Sequence, residues 1–230
     1  MATRIDRALV ADTALRLLNE VGLEGLTLRR IAKELDVQAP ALYWHFKNKQ
    51  ELLDEVATEM FRRMAVPVAH TKSDTWQERM AATVREQRRF LLGYRDGAKV
   101  FSGTRFTDNS YATPLESMLR DCIEAGFTPR AAARAWFTLS TYTVGYVIEE
   151  QSVHPTPKSD DRDPAYDKEA RARRLAGHPL ADEAGWEFFE DLDAGYEDGL
   201  RVVIAGIEAT LLPGGRAAAS GEAAGDPAQQ

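Results

Sequence analysis

Residues 27–49, TLRRIAKELDVQAPALYWHFKNK, contain two short helical patterns separated by a tight turn. In the first pattern Ile31 and Leu35 share one face and leave the charged side chains on the other, which is typical of a helix with one buried side. The pattern breaks at Asp36. Pro40 then suits the first turn of a new helix, because its missing N–H has no intrahelical partner there. This layout predicts a helix-turn-helix, whose second helix enters the major groove of DNA.

The second helix of this pair is expected from about Gln38 to Trp44, with Leu42 as its contact to the core. Its other side chains are free to meet base edges or phosphates. These are Ala39, Ala41, Tyr43 and His45. An alternative is the corner of an all-helical core, in which Tyr43, Trp44 and Phe46 are packing residues. The periodicity alone does not decide between the two interpretations.

A third helix is expected to begin at Asn48, whose side chain suits a helix cap. Glu51 follows three residues later and completes a pattern like a capping box. Lys49 lies at the start of this helix, where exposed backbone amides favour anions, so it is well placed to hold a phosphate. The helix is expected to run to about Met64, before Pro67.

Several segments resemble the tetracycline repressor (TetR) family of transcriptional regulators. Residues 7–53, with LLNEVGLEGLT, IAKELDVQAPALYWHF and KNKQELLDE, look like the DNA-binding domain of that family. The similarity continues through RDGAKVFSGTR at 95–105, GF at 126–127, GYVIEEQ at 145–151 and DGLRVVIAGIE at 198–208. The resemblance implies an all-α fold: a three-helix DNA-binding domain with a helix-turn-helix at residues 1–50, and a larger α-helical ligand-binding and dimerisation domain at 51–212.

The remaining chain is predicted to be helical with one long polar interruption. Besides the helix that begins at Asn48, whose residues 51–64 form the connecting helix of the larger domain, helices are expected at residues 4–21, 76–94, 114–126, 129–151 and 193–212, with a short helix and a bend within 93–109. Residues 152–182 are polar and contain four prolines, so they are expected to form a mobile loop with a helical insert at 167–175. The tail at 213–230 has no apolar period and is expected to be disordered.

The net charge of -7 looks unfavourable for DNA binding until it is divided along the chain. Residues 1–50 hold eight Lys/Arg and six Asp/Glu, a balance of +2, which leaves -9 for the rest. A dimer doubles this basic footprint while the acidic body points away from the phosphates. The single Cys122 excludes an internal disulfide, and no apolar run approaches a membrane span. We therefore expect a cytoplasmic protein without a membrane partner.

The resemblance implies particular DNA contacts. Arg29 matches a base-reading arginine, a residue type suited to guanine O6 and N7. Pro40 and Tyr43 match residues that touch thymine methyls or the backbone, and His45 and Lys49 match backbone contacts.

Two positions, Ala39 and Ala41, depart from the tetracycline repressors, which have a glutamine and a threonine there. We therefore expect a palindromic operator different from the tetracycline operator. The complete set of expected DNA-binding residues is Arg29, Gln38, Ala39, Pro40, Ala41, Tyr43, His45 and Lys49. The apolar helices at 129–151 and 193–212 imply, as in the family's dimers, a four-helix bundle formed with a twofold mate.

The resemblance also implies a changed ligand site. Phe101 stands where tetracycline repressors have the histidine that coordinates drug-bound magnesium, so neither a metal nor another cofactor is expected. Ala65, Thr83 and Gln87 replace further drug contacts, whereas Thr104, Arg105 and Glu149 remain. For the last two, a structural ion pair or an interface contact is an equal alternative.

An aromatic and aliphatic pocket is expected instead, suited to a largely apolar or aromatic effector. Its expected ligand-binding residues are Phe101, Thr104, Arg105, Phe106, Met118, Phe137, Thr141 and Glu149, with Trp136, Leu139 and Tyr142 as further lining. A natural product resembling a polyketide is an expectation from analogy with the subfamily.

Together these patterns predict a homodimeric repressor that binds double-stranded DNA and is released by a small effector. The alternative is a DNA-binding activator or architectural protein without an effector. An enzyme is not expected, because the four histidines are far apart and HExxH, CxxC and GxSxG motifs are all missing.

Overall fold

Eleven α-helices and one 3-10 turn form the regular structure of residues 5–64, 75–157 and 162–212, the parts of the chain that the computed structural model describes. The helices are α1 (Arg7–Gly25), α2 (Leu28–Glu34), α3 (Ala39–Tyr43), α4 (Lys49–Met64), α5 (Trp76–Leu92), α6 (Gly97–Phe101), α7 (Ala112–Glu124), α8 (Pro129–Val153), α9 (Lys168–Arg174), α10 (Pro179–Phe189) and α11 (Leu192–Leu211). The predicted all-α fold is confirmed.

The helices α1, α2 and α3 and the start of α4 pack around one apolar centre. We call these helices the head. Ile31, Leu42 and Phe46 are fully buried in it. The hydroxyl of Thr27 caps α2 by accepting from the Arg30 amide at 3.2 Å. The chain turns towards α3 at Asp36, which has a φ of 53°. The predicted helix-turn-helix is therefore confirmed.

The end of α1 is shaped by Gly22. Gly22 has a φ of 67°, and one more helical turn follows to Gly25. A side chain at Gly22 would also meet the Arg95 and Asp96 side chains at 3.0 Å. Since Asp96 accepts a hydrogen bond from the Leu23 amide at 3.0 Å, the corner between α5 and α6 docks directly on the head.

The start of α4 follows the predicted capping pattern with one shift. Asn48 accepts from the Glu51 amide at 2.9 Å, as expected for a cap. The Glu51 carboxylate reaches back to the Lys47 amide at 3.0 Å, one residue before the cap itself. The helix ends at Met64, and Pro67 lies outside the described residues.

The helices from α5 onwards, which we call the body, are organised around α8, which packs against α5, α7 and α11. Thr128 caps α8 and Pro129 occupies its first position, so the helix begins at the predicted residue. Near the other end of α8, the buried Gln151 amide donates to the Leu91 and Tyr94 carbonyls at 3.1 and 2.7 Å. It also accepts from the Ala98 amide at 3.1 Å. Gln151 thus fixes the corner between α5 and α6 to the body.

Two tyrosines of α8 lie over two glycines of α11. The Tyr142 hydroxyl donates to the Tyr196 carbonyl, and the Tyr146 hydroxyl donates to the Leu192 carbonyl, each at 2.9 Å. A Cβ at Gly199 would be 2.1 Å from the Tyr142 hydroxyl, and a Cβ at Gly195 would be 2.6 Å from the Tyr146 hydroxyl. These glycines are required because the tyrosine tips occupy the space of their missing side chains. The arrangement sets how α8 and α11 lie together.

The polar region at 152–182 contains more helix than predicted. Besides α9 and a 3-10 turn at Pro164–Tyr166, it holds the start of α10 at Pro179. Pro164 and Pro179 lie in the first turn of these elements, where the missing N–H needs no partner. They therefore start helical structure and do not interrupt it. Residues 158–161 and the tail at 213–230 lie outside the described residues, so the mobility and disorder expected there stay predictions.

Candidate DNA-binding head and ligand cavity

The surface of α3 and the residues after it carry the candidate DNA contacts. Tyr43 is 49% exposed and Trp44 is 90% exposed, whereas Phe46 is fully buried. The interpretation of all three aromatics as packing residues is therefore wrong for two of them. A tryptophan with nine-tenths of its surface in solvent is unusual for folding alone, and exposed apolar surface of this kind marks interaction sites.

The other predicted DNA-binding residues surround this surface in sequence and remain accessible to different degrees. Those fully at the surface are Arg29, Gln38, Pro40 and Lys49, and those half-buried are Ala39, Ala41 and His45. The Lys49 ammonium donates to the Leu23 carbonyl at 2.7 Å. To hold a phosphate, Lys49 would have to give up this bond. Its role, like those of the other seven residues, stays a prediction.

A cavity of about 710 Å³ lies in the body between α4, α5, α7, α8 and the segment at 102–111. Aromatic and sulfur-containing side chains dominate its wall. They are Phe61, Met64, Trp76, Met80, Phe106, Tyr111, Met118, Cys122 and Trp136. Apolar side chains supply most of the exposed wall, and the polar lining residues are Arg62, Arg79, Thr83, Glu86, Gln87, Ser110, Thr113, Ser117 and Asp121. Such a wall suits a mostly apolar ligand oriented by a few polar contacts.

Only some of the predicted ligand-binding residues line this cavity. Phe106 and Met118 do so, together with Trp136 and the replaced positions Thr83 and Gln87. Position 65, the remaining replaced contact, lies outside the described residues.

Six predicted ligand-binding residues do not line the cavity of this chain. Phe101 packs behind it, with its ring centre 5.9 Å from that of Phe106. Thr104 bonds within its own turn, donating to the Phe101 carbonyl at 2.9 Å. The side chains in solvent are Arg105, Phe137, Thr141 and Glu149, and no ion pair joins Arg105 to Glu149 within the described chain.

Helix geometry explains the displacement on α8. Successive residues point about 100° apart, so once Trp136 faces the cavity, Phe137 points elsewhere. Leu139 and Tyr142, expected as further lining, belong instead to the core against α11.

The contribution of α5 was predicted only in part, because Thr83 and Gln87 stand at expected contact positions but Trp76 and Met80 were not expected in the wall. All four line the cavity and follow one another at intervals of three or four residues. This spacing is the face of a helix, so the signal was present. It was obscured because polar and apolar residues share the same face. The contribution of α4, through Phe61, Arg62 and Met64, was missed as well.

The segment at 102–111 is fastened to one face of α4. Asp54 accepts from the Arg105 amide at 3.1 Å, and the fully buried Thr58 hydroxyl accepts from the Thr107 amide at 2.8 Å. The Arg62 guanidinium donates to Asp108 at 2.5 Å. The Phe106 ring, between these fastenings, packs on Phe61 of α4 with 5.0 Å between ring centres. One wall of the cavity is thus bonded to the helix that leaves the head.

Cys122 is expected to be almost inert to alkylation. It lines the cavity but is 2% exposed, and burial raises the pKa of its thiol from 9.0 to about 11. Because the thiolate is the nucleophile, this shift lowers the reactive fraction near neutral pH about 100-fold. We expect alkylation by iodoacetamide at pH 8 to be slower by about this factor than in the urea-unfolded chain. Since no other cysteine is present, mass spectrometry measures the rate directly, and equal rates would contradict the burial of this thiol.

Two absences were found within residues 5–64, 75–157 and 162–212. No helix in these ranges is long and apolar enough to cross a membrane. The same ranges contain no group of three or more His, Cys, Asp or Glu side chains arranged to hold a metal ion.

A helix-turn-helix head, joined by one helix to a body with a large apolar cavity, defines a transcriptional regulator with a ligand-binding domain. Residues 10–56 match the family model for bacterial regulatory proteins of the tetR family, and residues 68–211 match the model for the tetracyclin repressor-like C-terminal domain. The chain belongs to the TetR family.

Its relatives include tetracycline repressors. The class A tetracycline repressor protein from transposon 1721 of Escherichia coli is 38% identical over 89% of this chain and 91% of its own. A possible TetR family regulator of Streptomyces coelicolor has 36% identity and a TM-score of 0.73, with 89% and 99% of the two chains covered. A TetR variant from Acinetobacter baumannii in complex with minocycline has 33% identity and a TM-score of 0.68, with coverage of 89% and 97%.

Proposed function

We propose that this regulator is a repressor that binds a palindromic operator as a homodimer and is released by a largely apolar or aromatic effector without magnesium. The observation that carries the proposal is the shared wall: α4, which leaves the head, supplies Phe61, Arg62 and Met64 to the cavity. An effector in the cavity therefore touches the helix that positions the head. A conformational change follows from binding only if the effector favours one arrangement of that wall over another.

The outer faces of α8 and α11 support the homodimer. Phe137 on α8 and Val202 on α11 are each 72% exposed, although the two helices pack together. Small exposed residues accompany them, namely Gly145, Gly206 and Ala209. Exposed apolar surface on two adjacent helices is suited to burial against the same surface of a second copy. A twofold axis there would form a four-helix bundle and present two α3 helices to one palindrome.

The composition of the cavity supports an effector different from the drug-magnesium complexes of tetracycline repressors. Phe101 stands where the tetracycline repressors have the magnesium-coordinating histidine; it packs behind the cavity wall against Phe106 and offers no metal ligand. Methionines add adaptable apolar surface and favourable contacts to aromatic rings. The proposed mechanism is differential binding: the effector favours a body arrangement that holds the two heads at the wrong separation for DNA.

A paired measurement tests the effector. Candidate aromatic compounds are screened for an increase in melting temperature, and each stabilising compound is then added to the complex of protein and operator. A ligand at 100 times its Kd stabilises the folded state by about 2.7 kcal/mol. We expect the same compounds to release the operator, with no requirement for magnesium. Compounds that stabilise the protein without changing operator affinity would support the activator or architectural alternative instead.

Replacing Arg29 by alanine is expected to weaken operator binding by about 1–3 kcal/mol and to relax the preference for one base pair. The reason is that an arginine reading guanine contributes both affinity and discrimination. Fluorescence anisotropy with the operator, selected from a random duplex pool, and its single-base variants measures both effects.

Lys49→Ala gives the contrasting pattern, since loss of a phosphate contact weakens all sequences about equally. Arg120→Ala, which removes an exposed arginine of α7, serves as the negative control. Unchanged affinity and specificity in Arg29→Ala would remove this residue from the proposed reading surface.

A further inference from the structure

Glu55 of α4 is a buried carboxylate shared by two arginines. It is 4% exposed, and its Oε2 accepts from Arg7 Nε at 2.7 Å. Its Oε1 lies 3.5 Å from Arg62 Nη1, which also donates to Glu59 of the same helix at 3.1 Å. A buried charge is tolerated only where such partners compensate it, so each of the two arginines constrains the other through Glu55.

The first arginine reaches the end of the reading helix. Arg7 Nη1 donates to the His45 carbonyl at 2.6 Å, just beyond the end of α3. The Arg7 guanidinium also lies 4.4 Å from the centre of the Phe46 ring, a cation–π contact. Arg7 is therefore in position to hold the carboxyl end of α3, and its own position depends on Glu55.

The second arginine reaches the cavity. Arg62 lines the cavity and donates to Asp108 from Nη2 at 2.5 Å and from Nε at 3.1 Å. Asp108 in turn accepts from the amide of Ser110, another cavity residue, at 2.9 Å. Hydrogen bonds from Ser110 and Arg62 lower the pKa of Asp108 to about 2, so this carboxylate is charged at physiological pH.

These contacts form one continuous chain from the cavity wall to the end of α3, through Asp108, Arg62, Glu55 and Arg7. We propose that Glu55 and Arg62 are positioning residues that couple occupancy of the cavity to the position of α3, an inference that rests on the proposed function. A ligand that displaces the segment at 102–111 redistributes the hydrogen bonds of Arg62. Glu55 is buried away from compensating water, so its change in pairing is passed to Arg7 and the His45 carbonyl.

Coupling between two sites is reciprocal, so it is measurable from the DNA side without an effector. The amide of Ser110 is a reporter at the cavity, because it donates to Asp108, a member of the chain of contacts. The amide of Thr107 donates to Thr58 of α4 and reports on the same segment. The experiment is hydrogen exchange of residues 107–110 in the full-length protein, with and without saturating operator selected from a random duplex pool. A typical coupling changes such an equilibrium about 5- to 150-fold.

We expect operator binding to change the exchange rate of these amides at least about 5-fold in the wild type and less than about 2-fold in Glu55→Gln and Arg62→Met. Glu55→Gln keeps the size of the side chain and removes its charge. Arg120→Ala, which breaks an exposed ion pair on α7, should respond like the wild type. A purely structural role for Glu55 or Arg62 would lower the melting temperature and leave the ratio of exchange rates unchanged.

The outcomes separate this inference from the proposed function. Failure of the wild type to enrich any duplex would refute the proposed function. Operator binding with no exchange response in the wild type, or with the wild-type response retained in both variants, would overturn the coupling role. Arg62 is partly exposed, so Arg62→Met decides the question if Glu55→Gln does not fold.

Discussion

Replacing Phe137 by aspartate is expected to give folded monomers that bind the operator at least about 100-fold more weakly than the wild type. Phe137 is 72% exposed, so each subunit loses little packing. In the proposed dimer, however, the substitution places two carboxylates within an apolar twofold interface. Juxtaposed like charges cost several kcal/mol, and a monomer brings one head rather than two to a palindrome.

Sedimentation equilibrium measures the assembly state, circular dichroism measures the fold, and anisotropy measures operator affinity. Ile123→Asp is the matched control, because Ile123 is also an exposed apolar residue, at 44%, but lies on α7. It should remain dimeric and bind the operator normally. A stable dimer of Phe137→Asp at micromolar concentration would show that the outer face of α8 is not the interface.

Replacing Arg88 by methionine is expected to destabilise the fold by about 3–5 kcal/mol. Arg88 of α5 donates to Glu150 of α8 from Nε and Nη2 at 2.9 and 2.6 Å, and to Asp193 of α11 at 2.6 Å. Burial alone would lower the pKa of Arg88, but hydrogen bonds to Glu150 and Asp193 raise it above its ordinary value. Glu150 is 8% exposed, so the substitution leaves a buried carboxylate without this bidentate partner.

Thermal and urea unfolding measure the effect. Arg85→Met is the matched control on the same helix, because Arg85 pairs with Glu197 at the surface and should cost about 1 kcal/mol or less. In Arg88→Met/Glu150→Leu the orphaned charge is gone, so most of the stability should return. A loss in Arg88→Met no greater than that in Arg85→Met would show that the buried pair contributes little.

The head could be predicted almost completely because its signals are local. Asn48 caps α4, and Pro40 starts α3 in its first turn. Leu42 is the contact to the core because it is the only large aliphatic residue of α3. Each of these signals lies within four residues of the feature that it determines. The choice between a DNA-binding surface and a helical corner needed the resemblance to the TetR family, because the periodicity alone does not decide between them.

The cavity could be predicted only in part because the body helices are apolar on more than one face. On α8, Trp136 faces the cavity, Leu139 faces the core and Phe137 faces solvent, and composition does not distinguish the three directions. The pairing of Arg7 with Glu55 spans 48 positions of sequence, and that of Arg62 with Asp108 spans 46. No local pattern indicates such pairs, since they depend on how the completed helices pack.

Because α4 is long, a small tilt at its cavity end moves its other end by a larger distance. Sixteen helical residues span about 24 Å, with Phe61 near one end and Lys49 at the other. A tilt of about 5° at the cavity swings the far end of such a rod by about 2 Å. In the proposed dimer, two such helices related by a twofold axis would swing in opposite senses, so their ends would separate by about 4 Å, slightly more than the 3.4 Å rise of one base pair. The proposed mechanism thus needs only a modest rearrangement around a ligand to misalign the two heads with DNA.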